Sequence, residues 1–287
     1  MLILFVGLMI RGTLLHELLR LPLFHYQMFK NRPISIEYYH HSYGRDLKQY
    51  FLHFPPFEET TEKKQVIIFF HGGGWSLGSP EMFKLNAAFF AKRGYHVFMP
   101  SYRRIPFYGY PEIRADLNAG FLEIRKEMEE MGIENYKIIL GGTSAGGNLA
   151  ALLAYDQEGL KTLNTDSTIF SGILLFGAAL DLSLMYPSPV RWFYAGSATE
   201  PDFKKASPIN YLQEEETLPT LIVHGTKDGL VAFRSAEAFI KKLAKRQQEN
   251  LTVQILEEGT HLDVGSWNFF DNDLRKLIVE WLKEREE

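Results

Sequence analysis

A chain of 287 residues with 46% hydrophobic and 23% charged side chains is long enough to bury a large core, and its composition excludes a disordered polymer. The formal charge of -4, from 31 basic and 35 acidic residues with no long basic block, argues against a nucleic-acid partner. With no cysteine there is no disulfide framework, no thiolate nucleophile and no thiolate metal site.

Met1 to Ile10 is apolar but only ten residues long before Arg11, too short to cross a bilayer as a helix. It lacks a basic leading region and a small-residue cleavage site, so a cytoplasmic location is expected over secretion. Leu14 to Phe29 alternates apolar clusters with His16, Glu17 and Arg20, and Pro22 is expected to interrupt it. Residues 1–33 therefore read as an apolar or amphipathic arm, either packed on the body of the protein or in peripheral contact with a membrane surface. Ile34 to Phe54 suits short strands joined at Tyr43-Gly44, and Glu58 to Lys64 reads as an exposed loop.

Buried strands are expected at Val66 to Phe70, Tyr95 to Met99, Lys137 to Leu140, Ile169 to Phe176, Leu221 to Val223 and Thr252 to Leu256. Helical spacing marks Pro111 to Met131, Asn148 to Tyr155, Phe233 to Arg246 and Trp267 to Lys283. This alternation predicts an α/β protein whose mostly parallel central sheet is flanked by helices on both faces, with residues 34–287 forming a single domain. Residues 184–212 fit neither period and are expected to form a small cap or lid excursion over a pocket.

His71-Gly72-Gly73-Gly74-Trp75 follows an apolar strand, where three glycines bring the main chain close to a partner. Gly142-Thr143-Ser144-Ala145-Gly146 lies between a strand and an alanine-rich helix, the context of a nucleophile elbow that offers Ser144 to a substrate. A nucleoside-triphosphate loop fails there, because no lysine followed by serine or threonine ends the run. Asp228 and His261 each fall just beyond a strand, on the sheet edge where Ser144 also sits. Serine, aspartate and histidine in that order complete the pattern.

Together these residues resemble the α/β-hydrolase superfamily, and more narrowly its HGGG-type carboxylesterases of the hormone-sensitive-lipase-like and feruloyl- and acetyl-xylan-esterase-like groups. The resemblance implies Ser144 as nucleophile, His261 as general base and acid, and Asp228 as the residue orienting it. It implies an oxyanion hole from the amides of Gly73, Gly74 and Ala145, a small-molecule ester as partner, and no cofactor. His71 is expected to shape its loop, and Asp263 is a weaker alternative to Asp228.

Trp75, Trp192, Phe193 and Tyr194 are candidate pocket walls, favouring short- to medium-chain or aromatic esters. An aryl-formamidase of the N-formylkynurenine type and a catalytically silent binding protein are the alternatives. No metal is expected, since the spacing of His40, His41 and His53 matches no ligand set. Tyr102-Arg103-Arg104 and Asp116 read as structural.

Overall fold

The computed structural model describes residues 11–31, 36–58, 65–247 and 249–285. The apolar segment 1–10 and most of the loop at 58–64 lie outside them. Eight strands among the described residues form one sheet: β1 (Tyr39–Ser42), β2 (Tyr50–Phe54), β3 (Gln65–Phe70), β4 (His96–Pro100), β5 (Lys137–Thr143), β6 (Phe170–Phe176), β7 (Thr220–Gly225) and β8 (Leu251–Leu256). Their order is β1-β2-β4-β3-β5-β6-β7-β8, with β2 antiparallel to both β1 and β4 and every other pairing parallel. The expected mostly parallel α/β sheet is what the chain builds.

Side-chain alternation divides the core in two. Val66, Ile68, Ile138, Leu140, Ile173, Leu175 and Ile222 face one layer, packed with the helices Tyr110–Glu130, Ala145–Tyr155 and Phe233–Ala244. Ile67, Phe69, Ile139, Leu174, Phe176, Leu221 and Val223 face the other, against the helices Lys84–Ala91 and Asp273–Lys283. The central strands β3, β5, β6 and β7 are largely apolar because both of their faces are covered.

The parallel register aligns the carboxyl ends of the central strands. Phe70 lies beside Gly142, Thr143 beside Phe176, Phe176 beside Val223, and Gly225 beside Leu256. The loops opening at His71, Ser144, Gly177, Thr226 and Glu257 consequently share one edge, which is where open α/β sheets gather their reacting groups.

Two local expectations need correction. The last helix begins at Asp273, not at Trp267, because the Asn272 side chain caps it by accepting from the Arg275 amide at 2.8 Å. Trp267 serves the core instead, stacked on Phe176 with ring centroids 5.1 Å apart. Pro22 does not interrupt the first helix, which runs unbroken from Leu14 to Asn31 with Pro22 on its exposed side. In the first two strands His40 stacks on Tyr50, His41 on Phe51, and His53 on Phe98. Residues 184–212 carry two short helices, Pro189–Ala195 and Pro201–Lys205, and a 3-10 turn at Pro208–Tyr211. Among the described residues no helix is long and apolar enough to cross a membrane.

Candidate active site

Ser144 joins β5 to the helix Ala145–Tyr155 with φ 58° and ψ -120°, a conformation that L-residues avoid. Its amide donates to the Phe176 carbonyl at 2.8 Å, tying the turn to the end of β6. A methyl at Gly142 would collide with the backbone of Gly146, and one at Gly146 with the carbonyls of Phe70 and His71. Both positions therefore need glycine for the corner to close, and the corner leaves Ser144 partly exposed.

Asp228 follows β7 and is 1% exposed. Its Oδ1 accepts from the amides of Leu230 at 2.9 Å and Val231 at 2.7 Å, while its Oδ2 accepts from His261 Nδ1 at 2.6 Å. Burial alone would raise its pKa. The charge and hydrogen bond of His261, helped by His224 and the Val231 amide, outweigh burial and hold it below the ordinary carboxylate value. For His261, burial disfavours the charged ring, but the charge and hydrogen bond of Asp228, with Glu17 acting in the same sense, raise its pKa above the usual histidine value.

Two neighbours of this pair were not singled out from the sequence. Gly177, at φ 55°, follows β6 beside the imidazole, and a methyl there would lie 3.2 Å from His261 Cε1 and 3.6 Å from Asp228 Oδ2. His224, fully buried, places Nε2 3.4 Å from Asp228 Oδ2 and donates that N–H to the Val231 carbonyl at 3.0 Å. Burial lowers its pKa and favours the neutral ring. Asp263 is committed elsewhere: it accepts from Arg20 at 2.6 Å and from the Thr260 amide at 2.9 Å, capping the helix His261–Gly265.

The glycine loop folds back on itself. The Gly73 carbonyl accepts from the amides of Ser76 at 3.1 Å and Leu77 at 2.9 Å, with Gly73 at φ 127°, Gly74 at φ 59° and Trp75 at φ 55°. Among the described residues no backbone carbonyl accepts from the amides of Gly73, Gly74 or Ala145. His71 Nδ1 donates to the Gly72 carbonyl at 2.8 Å and the ring stacks on Tyr102 at 4.7 Å. Burial pulls its pKa down to about 4, so it shapes the loop as a neutral ring.

The four aromatic wall candidates are not brought to this edge as a set. Trp75 and Tyr194 are buried and stacked on each other at 3.9 Å, and the Tyr194 hydroxyl donates to Asn148 Oδ1 at 2.9 Å. They form core. Trp192 and Phe193 are exposed and, with Gly109, Pro111 and Glu200, border a cleft of about 390 Å3 that is lined by none of Ser144, Asp228 and His261. Within 184–212, Val190 lies 3.3 Å from where a Gly74 methyl would sit, and the Tyr186 hydroxyl lies 3.5 Å from the Asp228 carbonyl.

The BD-FAE family model matches residues 52–243. Lipase 2 of Moraxella sp. (strain TA144) is 32% identical over 108 residues, covering 37% of this chain and 24% of the lipase. The chain spans roughly a quarter to a half of the length of the curated relatives it matches. Among solved structures, Thermogutta terrifontis esterase 2 phosphonylated by sarin is 25% identical, with a TM-score of 0.68 over 88% of this chain and 95% of that one. The butyrate-bound form of the same esterase aligns over 88% and 94% with the same identity and TM-score.

Proposed function

Since the chain belongs to the BD-FAE family, and so to the carboxylesterase branch of the α/β-hydrolases, we propose that it hydrolyses carboxylic esters of short or medium acyl chain through an acyl-enzyme. Ser144 is the nucleophile, His261 the general base and then acid, and Asp228 the group that orients His261. The observation that carries this reading is the 2.6 Å bond from His261 Nδ1 to a buried Asp228 on the same sheet edge as a strained Ser144.

The chemistry follows from that bond. With Nδ1–H committed to Asp228, the neutral ring carries its lone pair on Nε2 and can take the Ser144 proton as Oγ attacks the ester carbonyl. Negative charge then moves onto the carbonyl oxygen, where the amides of Gly73, Gly74 and Ala145 serve as donors. Losing one such donor typically costs about 2.7 to 4 kcal/mol of transition-state stabilisation. Collapse expels the alcohol, which takes its proton from Nε2, and a water repeats the sequence in reverse to free the acid.

The acyl range is supported by the butyrate held by Thermogutta terrifontis esterase 2. Hydrolysis of p-nitrophenyl esters from acetate to palmitate, with Ser144→Ala in parallel, tests it. Serine-dependent turnover peaking at short or medium chains is the expected result. Serine-dependent turnover confined to matched aryl-formamides would replace the ester reading with a formamidase. No serine-dependent turnover of either class, with no labelling of Ser144 by a phosphonate, would leave a silent binding protein.

The outer face of the helix Leu14–Asn31 supports a further partner, a lipid surface. Leu14, Leu15, Leu18, Leu19, Leu23 and Phe29 are each about half exposed, and the helix continues in sequence from ten uncharged residues. An apolar face flanked by Arg11 and Lys30 suits the boundary between acyl chains and headgroups. Flotation with anionic vesicles should be strong for the parent and lost in Leu18→Ser/Leu19→Ser, whereas equal flotation of both would discard this partner.

A further inference from the structure

The helix Leu14–Asn31 is unusual in what it buries. Its inward stripe runs Glu17, Leu21, Phe24, Met28, one helical face, and begins with a carboxyl that is 0% exposed. Burying that group without partners would be costly. Its partners are all main-chain amides of the two loops that present the site: Glu17 Oε1 accepts from His261 N at 2.7 Å and Gly229 N at 3.2 Å, and Oε2 accepts from Leu262 N at 3.3 Å.

We propose that Glu17 is a positioning residue that clamps the Asp228 and His261 loops together from the helix Leu14–Asn31. The inference rests on the hydrolase reading above.

Three further observations point the same way. Gly229 has no room for a side chain, since a methyl there would lie 2.5 Å from the Thr13 carbonyl oxygen and 3.1 Å from Glu17 Cγ. Arg20, one turn on, donates to Thr260 Oγ1 at 2.7 Å and to Asp263 Oδ1 at 2.6 Å, fixing the residues on either side of His261 and Leu262. Phe24 packs on Phe269 with ring centroids 5.2 Å apart, seating the helix beyond the His261 turn. The helix thus grips the histidine loop over about two turns, from Glu17 to Phe24, while touching the aspartate loop at Gly229.

The orientation matters because the 2.6 Å bond between His261 and Asp228 joins two separate loops. Each is anchored to its own strand, and Glu17 Oε1 is shared between one amide from each. Displacing the helix lets the loops move independently, and small errors in aligning a base on a nucleophile are expensive in rate. The ionisable groups facing His261 are Asp228, with His224 behind it, and Glu17, with Arg20 and Asp263 one layer further out.

The test compares the full chain with Glu17→Gln, Glu17→Ala and Gly229→Ala, reading kcat and KM on p-nitrophenyl butyrate per site titrated by a fluorophosphonate. The acid limb of kcat/KM and thermal melting are followed in parallel. Glu17→Ala and Gly229→Ala are expected to lose on the order of 10²-fold in kcat with KM little changed. Glu17→Gln keeps an oxygen for the shared amides, so it should retain most of kcat while its acid limb moves to lower pH. Unchanged kcat per titrated site and an unmoved acid limb in all three variants, even with lowered melting, would reduce Glu17 to a stability role and overturn the proposal. A parent that neither turns over nor reacts with the phosphonate would instead overturn the hydrolase reading, and this inference with it.

Discussion

Gly177 supports the imidazole of His261 by having no side chain: a methyl on its Cα would stand 3.2 Å from Cε1 and 3.3 Å from Nδ1 of that ring. The same residue donates its amide to the Val223 carbonyl at 2.9 Å, and its predecessor Phe176 accepts from the Ser144 amide at 2.8 Å. The end of β6 is thus the common floor of nucleophile and base.

Gly177→Ala should therefore be impaired twice over. Its φ of 55° costs an alanine about 1 to 2 kcal/mol of fold stability, and the methyl pushes the ring from its place. The expected outcome is a lowered melting temperature with kcat reduced by up to about tenfold, since the ring need give only a little. Steady-state kinetics on folded protein check it, and full activity in Gly177→Ala would show that the histidine does not depend on this floor.

The pH dependence follows from the directions at the site. His261 works as a base only when neutral, and Asp228 with Glu17 raises its pKa above the ordinary 6.5 despite burial. Activity is expected to fall with unit slope as pH drops through a midpoint above 6.5, with Asp228 ionised throughout because its own pKa is depressed. Stability runs the other way. A raised folded-state pKa favours the folded protein while the ring is charged, so that increment is complete below about 6.5 and is lost as pH rises through the folded value. A kcat/KM profile alongside melting from pH 5 to 9 should show activity rising where this increment fades.

Away from the site, Asp116 holds the segment after β4. It is 1% exposed and accepts from the Arg103 amide and Nη2, both at 2.8 Å, and from Gln49 Nε2 at 2.8 Å. Asp116→Ala would leave these donors without their acceptor. Breaking such a pair is expected to cost about 3 kcal/mol, the lower end for a buried pair because Arg103 keeps some solvent contact. Urea unfolding should report a lower midpoint at constant slope, and a midpoint equal to the parent's would refute it.

What could be read in advance divides along physical lines. Strands buried on both faces are largely apolar, so β3, β5, β6 and β7 stand out in the sequence. The elbow and glycine loop stand out because tight turns admit few residue types, as Gly142 and Gly146 illustrate. Gly177, His224 and Glu17 escaped because each acts across the fold. Gly177 is a single glycine after an apolar run, and His224 looks like the last residue of a strand. The clue to Glu17 was present in its helical spacing with Leu21, Phe24 and Met28, which puts a carboxyl on a packed stripe. Aromatic size alone does not separate a pocket wall from core: Trp75 and Tyr194 are buried and stacked on each other, while Trp192 and Phe193 are exposed.

Asp228→Asn isolates the role of charge and tautomer from that of shape. The variant keeps Oδ1 as acceptor for the Leu230 and Val231 amides, so the loop retains its anchor. At the other position an NH2 now faces His261 Nδ1 where a carboxylate oxygen had been 2.6 Å away. Nδ1 must then accept, the ring proton moves to Nε2, and Nε2 can no longer take the proton of Ser144. Nearby His224 cannot restore the tautomer, since its Nε2–H is directed to the Val231 carbonyl and not toward the imidazole of His261. The expected loss is on the order of 10⁴-fold in kcat with KM nearly unchanged, because the amides around the substrate oxygen remain. Ester turnover measured against the parent decides it. A loss confined to KM, or none, would mean that Asp228 anchors its loop without setting the protonation of His261.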